Sequence, residues 1–175
     1  MKRMLLALFV TLGLVGGAVA SFAATSGTAN VTLAANANTM VDILDPSVTL
    51  SPSATDYDND YVEATGASGL RVRVKSNSST GMSLLVRCAD ASPQIALNDL
   101  LVRTQTAAGS GGSTLGSYTA ITAGNQALWS TGVAQHPWQT VTTDVRVRNL
   151  GTYDDASGGG TTNYTNTLTY TVITL

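Results

Sequence analysis

The chain has 175 residues, 11% of them charged, with 9 Lys and Arg against 11 Asp and Glu. Without Lys2 and Arg3 the balance is 7 against 11, so the remainder lacks the basic surplus that nucleic acid or an anionic membrane surface requires. One histidine and one cysteine leave no ordinary zinc ligand set and no internal disulfide.

In chain order, Lys2 and Arg3 precede an uncharged apolar run, Met4–Ala20, which closes on small residues as Ala18-Val19-Ala20 and again as Ser21-Phe22-Ala23. That layout predicts a signal peptide over residues 1–23, cut after Ala20 or Ala23, and a secreted or cell-surface product. The run is shorter than the ~20 residues of a membrane span, and Gly13, Gly16 and Gly17 weaken it as a helix. No second apolar segment and no LPxTG-type wall-sorting motif follows, so the mature form is expected to have no membrane span. About 150 residues remain, enough for one domain with its own core.

Residues 24–38 read as a strand and a linker. Thr28–Leu33 alternates, with Ala29, Val31 and Leu33 on one side, and Ala34–Asn38 is built of small residues. Residues 39–175 then read as short strands of period 2 separated by turns. The clearest are Leu70–Lys75, with Leu70, Val72 and Val74 inward, and Thr140–Arg148, with Val141, Val145 and Val147 inward. In Asn163–Leu175, Leu168, Tyr170 and Val172 oppose a row of threonines, Thr165 to Thr171. Further strands are expected at Met40–Leu44, Ser47–Ser51, Tyr61–Thr65, Met82–Cys88, Leu100–Thr106, Tyr118–Thr122 and Ala127–Thr131. Asn77–Gly81 is expected to close a hairpin, Gly109–Ser113 and Ser157–Gly160 to be loops, and Asn98-Asp99 to sit in one helical turn. Many short strands at this spacing predict an all-β fold, a single antiparallel β-sandwich of immunoglobulin-like or jelly-roll-like type.

Catalytic signatures are sparse. His136 is expected in a loop, without a nucleophile motif such as G-x-S-x-G. Glu63 is the only glutamate, and glycoside hydrolysis needs two placed carboxylates. The chain therefore reads as a non-enzyme. Asp56, Asp58 and Asp60 match the opening of a calcium loop, but Tyr61 stands where the turn glycine belongs and Ala67 where the bidentate glutamate belongs. Calcium is the one cofactor that the sequence offers, against a solvated loop entering the next strand. Arg71, Arg73 and Lys75 form one basic row and Arg146 and Arg148 another, which would make a positive face if the strands pair. Trp129 lies in an apolar strand and reads as core. Trp138 follows His136-Pro137 and is the candidate glycan platform. Cys88 ends an apolar run and reads as a small buried hydrophobe.

The signal, the alternating strand before the body, the threonine-rich body and the final strand Tyr164–Val172 together resemble exported fibre subunits of bacteria and archaea: pilins of the chaperone–usher type, spore-coat-U-like proteins and TasA-like matrix proteins. Such pilins often carry a disulfide and a tyrosine near the last residue. This chain has Cys88 alone and ends Ile173-Thr174-Leu175. The resemblance implies a structural protein of the cell surface or biofilm matrix that polymerises with itself. Ala29, Val31 and Leu33 would be donated to a neighbour's sheet, against the simpler arrangement in which they form the first strand of their own body. The alternative is a secreted carbohydrate-binding or calcium-assisted adhesion module using a surface glycan.

Overall fold

The computed structural model describes residues 32–33, 35–107, 112–153 and 162–175. The chain divides into two compact units, Met1–Ala35 and Asn36–Leu175, and every element described here belongs to the second. The strand candidates Ala29 and Val31, the signal segment and the loop Ser157–Gly160 lie outside the described residues.

The second unit is mostly β. Its strands are β1 (Thr39–Ile43), β2 (Tyr61–Ala64), β3 (Leu70–Ser76), β4 (Met82–Cys88), β5 (Leu100–Ala107), β6 (Gly112–Thr114), β7 (Thr119–Ala120), β8 (Gln126–Thr131), β9 (Gln135–Arg148) and β10 (Leu168–Thr174). One short helix, α1 (Ala54–Asn59), precedes β2. The strands form two antiparallel sheets. The first runs β1-β3-β9-β5-β7, with β2 also on β9, and the second runs β10-β4-β8-β6. They share one apolar core, built from Val72, Val74, Val102, Val141 and Val145 on one side and Met82, Leu84, Val86, Leu128 and Trp129 on the other. The expected inward sets of Leu70–Lys75 and Thr140–Arg148 are the buried ones, because β-branched residues at period 2 place one whole face against the opposing sheet.

β9 is the spine of the first sheet. β2 and β3 lie end to end along one side of it, Tyr61 opposite Arg148 and Leu70 opposite Thr143, and β5 lies along the other. The segment between β2 and β3 breaks the ladder with a single 3-10 turn, Gly66–Ser68, beside Asp144.

Several expectations are corrected. Asn77–Gly81 does not close a hairpin, because β3 and β4 belong to different sheets and the segment carries the chain across from one to the other. Gly81 (φ 91°) allows this, since a Cβ there would lie 1.9 Å from the Thr131 carbonyl oxygen. Ser47–Ser51 is not a strand: Pro46 and Pro52 bracket it and each lacks an N–H, though Val48 and Leu50 still pack on the core. Part of the expected Gly109–Ser113 loop is β6, whose Gly112 packs so close to the Trp129 indole that a Cβ would meet Nε1 at 2.2 Å. His136 is not in a loop. β9 begins at Gln135 and carries Pro137 where its register with β3 shifts, which spares the missing N–H. Asp56 lies in α1 rather than in a loop, and the expected turn before β5 is present, with Asp99 and Leu100 N–H both donating to Ala96 O.

Candidate functional site

The feature that stands out among the described residues is a sheet edge with apolar side chains partly exposed at core-facing positions. β1 ends the first sheet and β10 ends the second, and the two lie near each other. In register, Val41 faces Val74 and Ile43 faces Val72, so all four share the inward face of the sheet. Val72 and Val74 are fully buried, yet Val41 is 40% and Ile43 46% exposed. On β10, Leu168, Tyr170 and Val172 pair with the buried Cys88, Val86 and Leu84, but are themselves only partly buried. β1 and β10 thus both present partly exposed apolar side chains, and among the described residues β1 is paired on one side only. An edge strand with apolar side chains and no covering element is a template for adding another strand. Full burial of a Val or Ile side chain contributes about 1.5–3 kcal/mol, so closing the exposed fractions of Val41 and Ile43 would add about 1–3 kcal/mol, before backbone hydrogen bonds.

The chain's path into β1 is held by Asn77. Its Oδ1 accepts from Asn38 N (2.6 Å), its Nδ2 donates to Asn36 O (2.9 Å), and its own N–H donates to Asn38 O (3.2 Å). Residues 36–38 thus continue the line of β1 past the end of the ladder. An asparagine after a strand reads as a turn residue, so sequence alone carried no sign of this role.

The outer face of the first sheet is charged but not positive. β3 and β9 do pair, but Arg71 and Arg73 lie opposite Thr142 and Thr140 while Arg146 and Arg148 lie opposite β2, and Arg71 meets Asp45 (2.6 Å), Arg73 meets Asp42 (2.7 Å) and Arg146 meets Glu63 (2.6 Å). The expected positive face is neutralised by acids from β2, β1 and the segment after β1. Such partly exposed pairs contribute only ~0–1 kcal/mol each. The Arg146 guanidinium also stacks between the rings of Tyr61 (4.2 Å) and Tyr118 (4.0 Å), while Arg103 covers Tyr118 (4.5 Å) and bonds Asp144 (2.8 Å). Burial acts to raise the Glu63 carboxyl, but hydrogen bonds from Arg146 and Tyr118 outweigh it, and its pKa lies below the ordinary value. Burial first, then the bond to Glu63, pushes the Tyr118 hydroxyl up to about 12.

Of the residues singled out in the sequence, Leu33 is exposed. Asp56 is the third helical residue of α1. Its carboxylate accepts from Ser53 N–H and Oγ (2.7 Å each) while Ser53 Oγ accepts from Asp56 N–H, a capping box that lowers the Asp56 pKa chiefly through the Ser53 backbone bond. Asp58 lies within α1 and Asp60 is its left-handed C-terminal cap. No three His, Cys, Asp or Glu among the described residues converge as a metal-holding group. Trp129 and Cys88 are buried in the core as expected, with Cys88 Sγ 3.7 Å from Asp90 Oδ2. Trp138 is half-buried, and Arg73 (4.8 Å) and Lys75 (4.7 Å) both lie over its ring, so it is not an open aromatic platform. His136 is exposed at the start of β9.

No protein-family model matches this chain, and no curated protein matches it.

Proposed function

We propose that the chain is exported and serves as a structural, non-enzymatic surface protein that associates with itself, Ala24–Leu33 of one copy completing the open edge of the next. The observation that supports this is the half-exposure of Val41 and Ile43 at core-facing positions of β1. The donor segment has the matching chemistry. It carries no charge, places Ala29, Val31 and Leu33 on one side, and offers a full set of backbone donors and acceptors. Strand addition of this kind takes its affinity from main-chain hydrogen bonds and its specificity from alternate side chains. Repeated head to tail it builds a filament.

Donation to a second copy is favoured over a fold-back onto β1. Asn77 holds Asn36 and Asn38, so a fold-back must turn through Ala34-Ala35. Two-residue hairpin turns need positive φ, which favours Asn and Gly over alanine. Negative-stain electron microscopy of residues 24–175 is the test. Filaments are expected from that chain. None are expected after removal of Ala24–Leu33, nor from V41D/I43D, although both variants should still melt cooperatively. Monodisperse particles from all three would overturn the proposal.

A further inference from the structure

The apolar core between the two sheets contains a small set of polar atoms without a partner. The Tyr170 hydroxyl, Thr143 Oγ1 and both Nε2 and Oε1 of Gln126 are fully buried and make no hydrogen bond among the described residues. Trp129 Nε1 shares that lack but lies apart from them, against Gly112 of β6. Register brings the first three side chains toward one place. Tyr170 on β10 and Gln126 on β8 each lie directly opposite the buried Val86 of β4, so all three share one inward row of the second sheet. Thr143 points inward from the first sheet, in the same alternation as the buried Val141 and Val145 of β9. Burial raises the Tyr170 pKa to about 12 and the Thr143 side chain opposes that shift, which places the two hydroxyls near each other. They are nevertheless not set for a direct hydrogen bond.

A buried hydroxyl or amide left unmet is destabilising, and native interiors meet such groups with protein or with ordered water. The surroundings narrow the choice. The inward neighbours Val86, Val141, Val145 and Thr104 carry no charge, so an ion would find no counter-charge here. Thr104 lies beside Thr143 across β5 and β9, but it donates its own hydroxyl to Leu128 O (2.8 Å). The occupant must be neutral, must both donate and accept, and must fit between two close-packed sheets. Water meets all three conditions, and a buried water typically makes about three hydrogen bonds. From this geometry we infer that one water molecule is bound inside the sandwich, held by the Tyr170 hydroxyl, Thr143 Oγ1 and the Gln126 side-chain amide. It ties β10 and β8 of the second sheet to β9 of the first, close to the edge where the apolar side chains of β10 are only partly buried. This binding is independent of strand donation.

A crystal structure of the chain at a resolution that shows ordered water tests the inference directly. One water is expected within about 2.6–3.2 Å of both Tyr170 OH and Thr143 Oγ1. A direct bond between the two hydroxyls, or a dry interior, would overturn it. Thermal unfolding gives a second reading that needs no crystal. Y170F and T143V each keep the shape of the side chain and remove one anchor of the water. Each should lower the melting temperature by about 2–4 °C, the size of one hydrogen bond in a domain of this length. The double variant Y170F/T143V should fall by less than the sum of the two, because both act on the same water. Strictly additive losses would overturn the inference. So would a Y170F chain that melts at or above the wild-type temperature, since the hydroxyl would then be a buried group that nothing compensates.

Discussion

Asp144 is the residue whose replacement tests the architecture most directly. Its side chain is fully buried although it belongs to the outward-facing set of β9. One oxygen accepts from Gly66 N–H (2.8 Å) and the other from Arg103 Nε (2.8 Å). The carboxylate therefore fills the break between β2 and β3 and ties it to β5. In D144A the Gly66 N–H loses its partner and Arg103 loses its counter-charge. Breaking a fully buried pair costs about 3–5 kcal/mol, but Arg103 keeps 33% side-chain exposure and can rehydrate, which places the expected loss nearer 2–3 kcal/mol. At roughly 2–4 °C per kcal/mol for a domain of this size, the melting temperature should fall by about 4–12 °C. D144N keeps an acceptor for Gly66 and loses the charge, so it should fall between the two. Thermal unfolding followed by circular dichroism measures both. A D144A change within ~0.5 kcal/mol of wild type, the range of an ordinary surface substitution, would refute the reasoning.

Tyr118, Tyr153 and Tyr170 each hold their proton up to about 12, burial being the first cause in each. Their folded pKa values exceed the unfolded value near 10, so their contribution is complete below pH ~10 and lost as pH rises toward 12. Urea midpoints should therefore drop through that window, and Y118F should drop less. A flat profile from pH 9 to 12 would refute this. At α1, D56A should cost about 0.5–2 kcal/mol through loss of the capping box, by the same amount with and without calcium. A calcium-dependent difference in its melting temperature would show that the Asp56 carboxylate serves a cation rather than the helix.

The strands themselves were legible because β-branched residues alternate with polar ones, as in Leu70–Lys75, where Val72 and Val74 can only face a core. Which strands share a sheet was not. The spacing of Asn77–Gly81 suits a hairpin as well as a crossing between sheets, and only the opposing apolar faces of β3 and β4 select the crossing. β6 was hidden because glycine and serine carry no strand signal, and its reason for existing is contact with Trp129, far along the chain. The site was less legible still. Trp138 and the basic rows were visible as residues, but the pairing of Arg71 with Asp45 and of Arg73 with Asp42 depends on β1 lying beside β3. The partial exposure of Val41 and Ile43 has no sequence signature, since an apolar alternation looks the same whether its side chains are fully or half buried.

The central place of β9 sets the order of events during synthesis. In the first sheet only the β1–β3 and β5–β7 ribbons can form before Gln135–Arg148 has emerged, and these remain separate until β9 enters between β3 and β5. In the second sheet β4, β8 and β6 can pair earlier, and β10 joins β4 only once Leu168–Thr174 has emerged. A chain whose pairings are this distant folds slowly and late. The first sheet, by contrast, stays in separate pieces until β9 is available, so its closure is a single late event that joins β1–β3, β2 and β5–β7 at once.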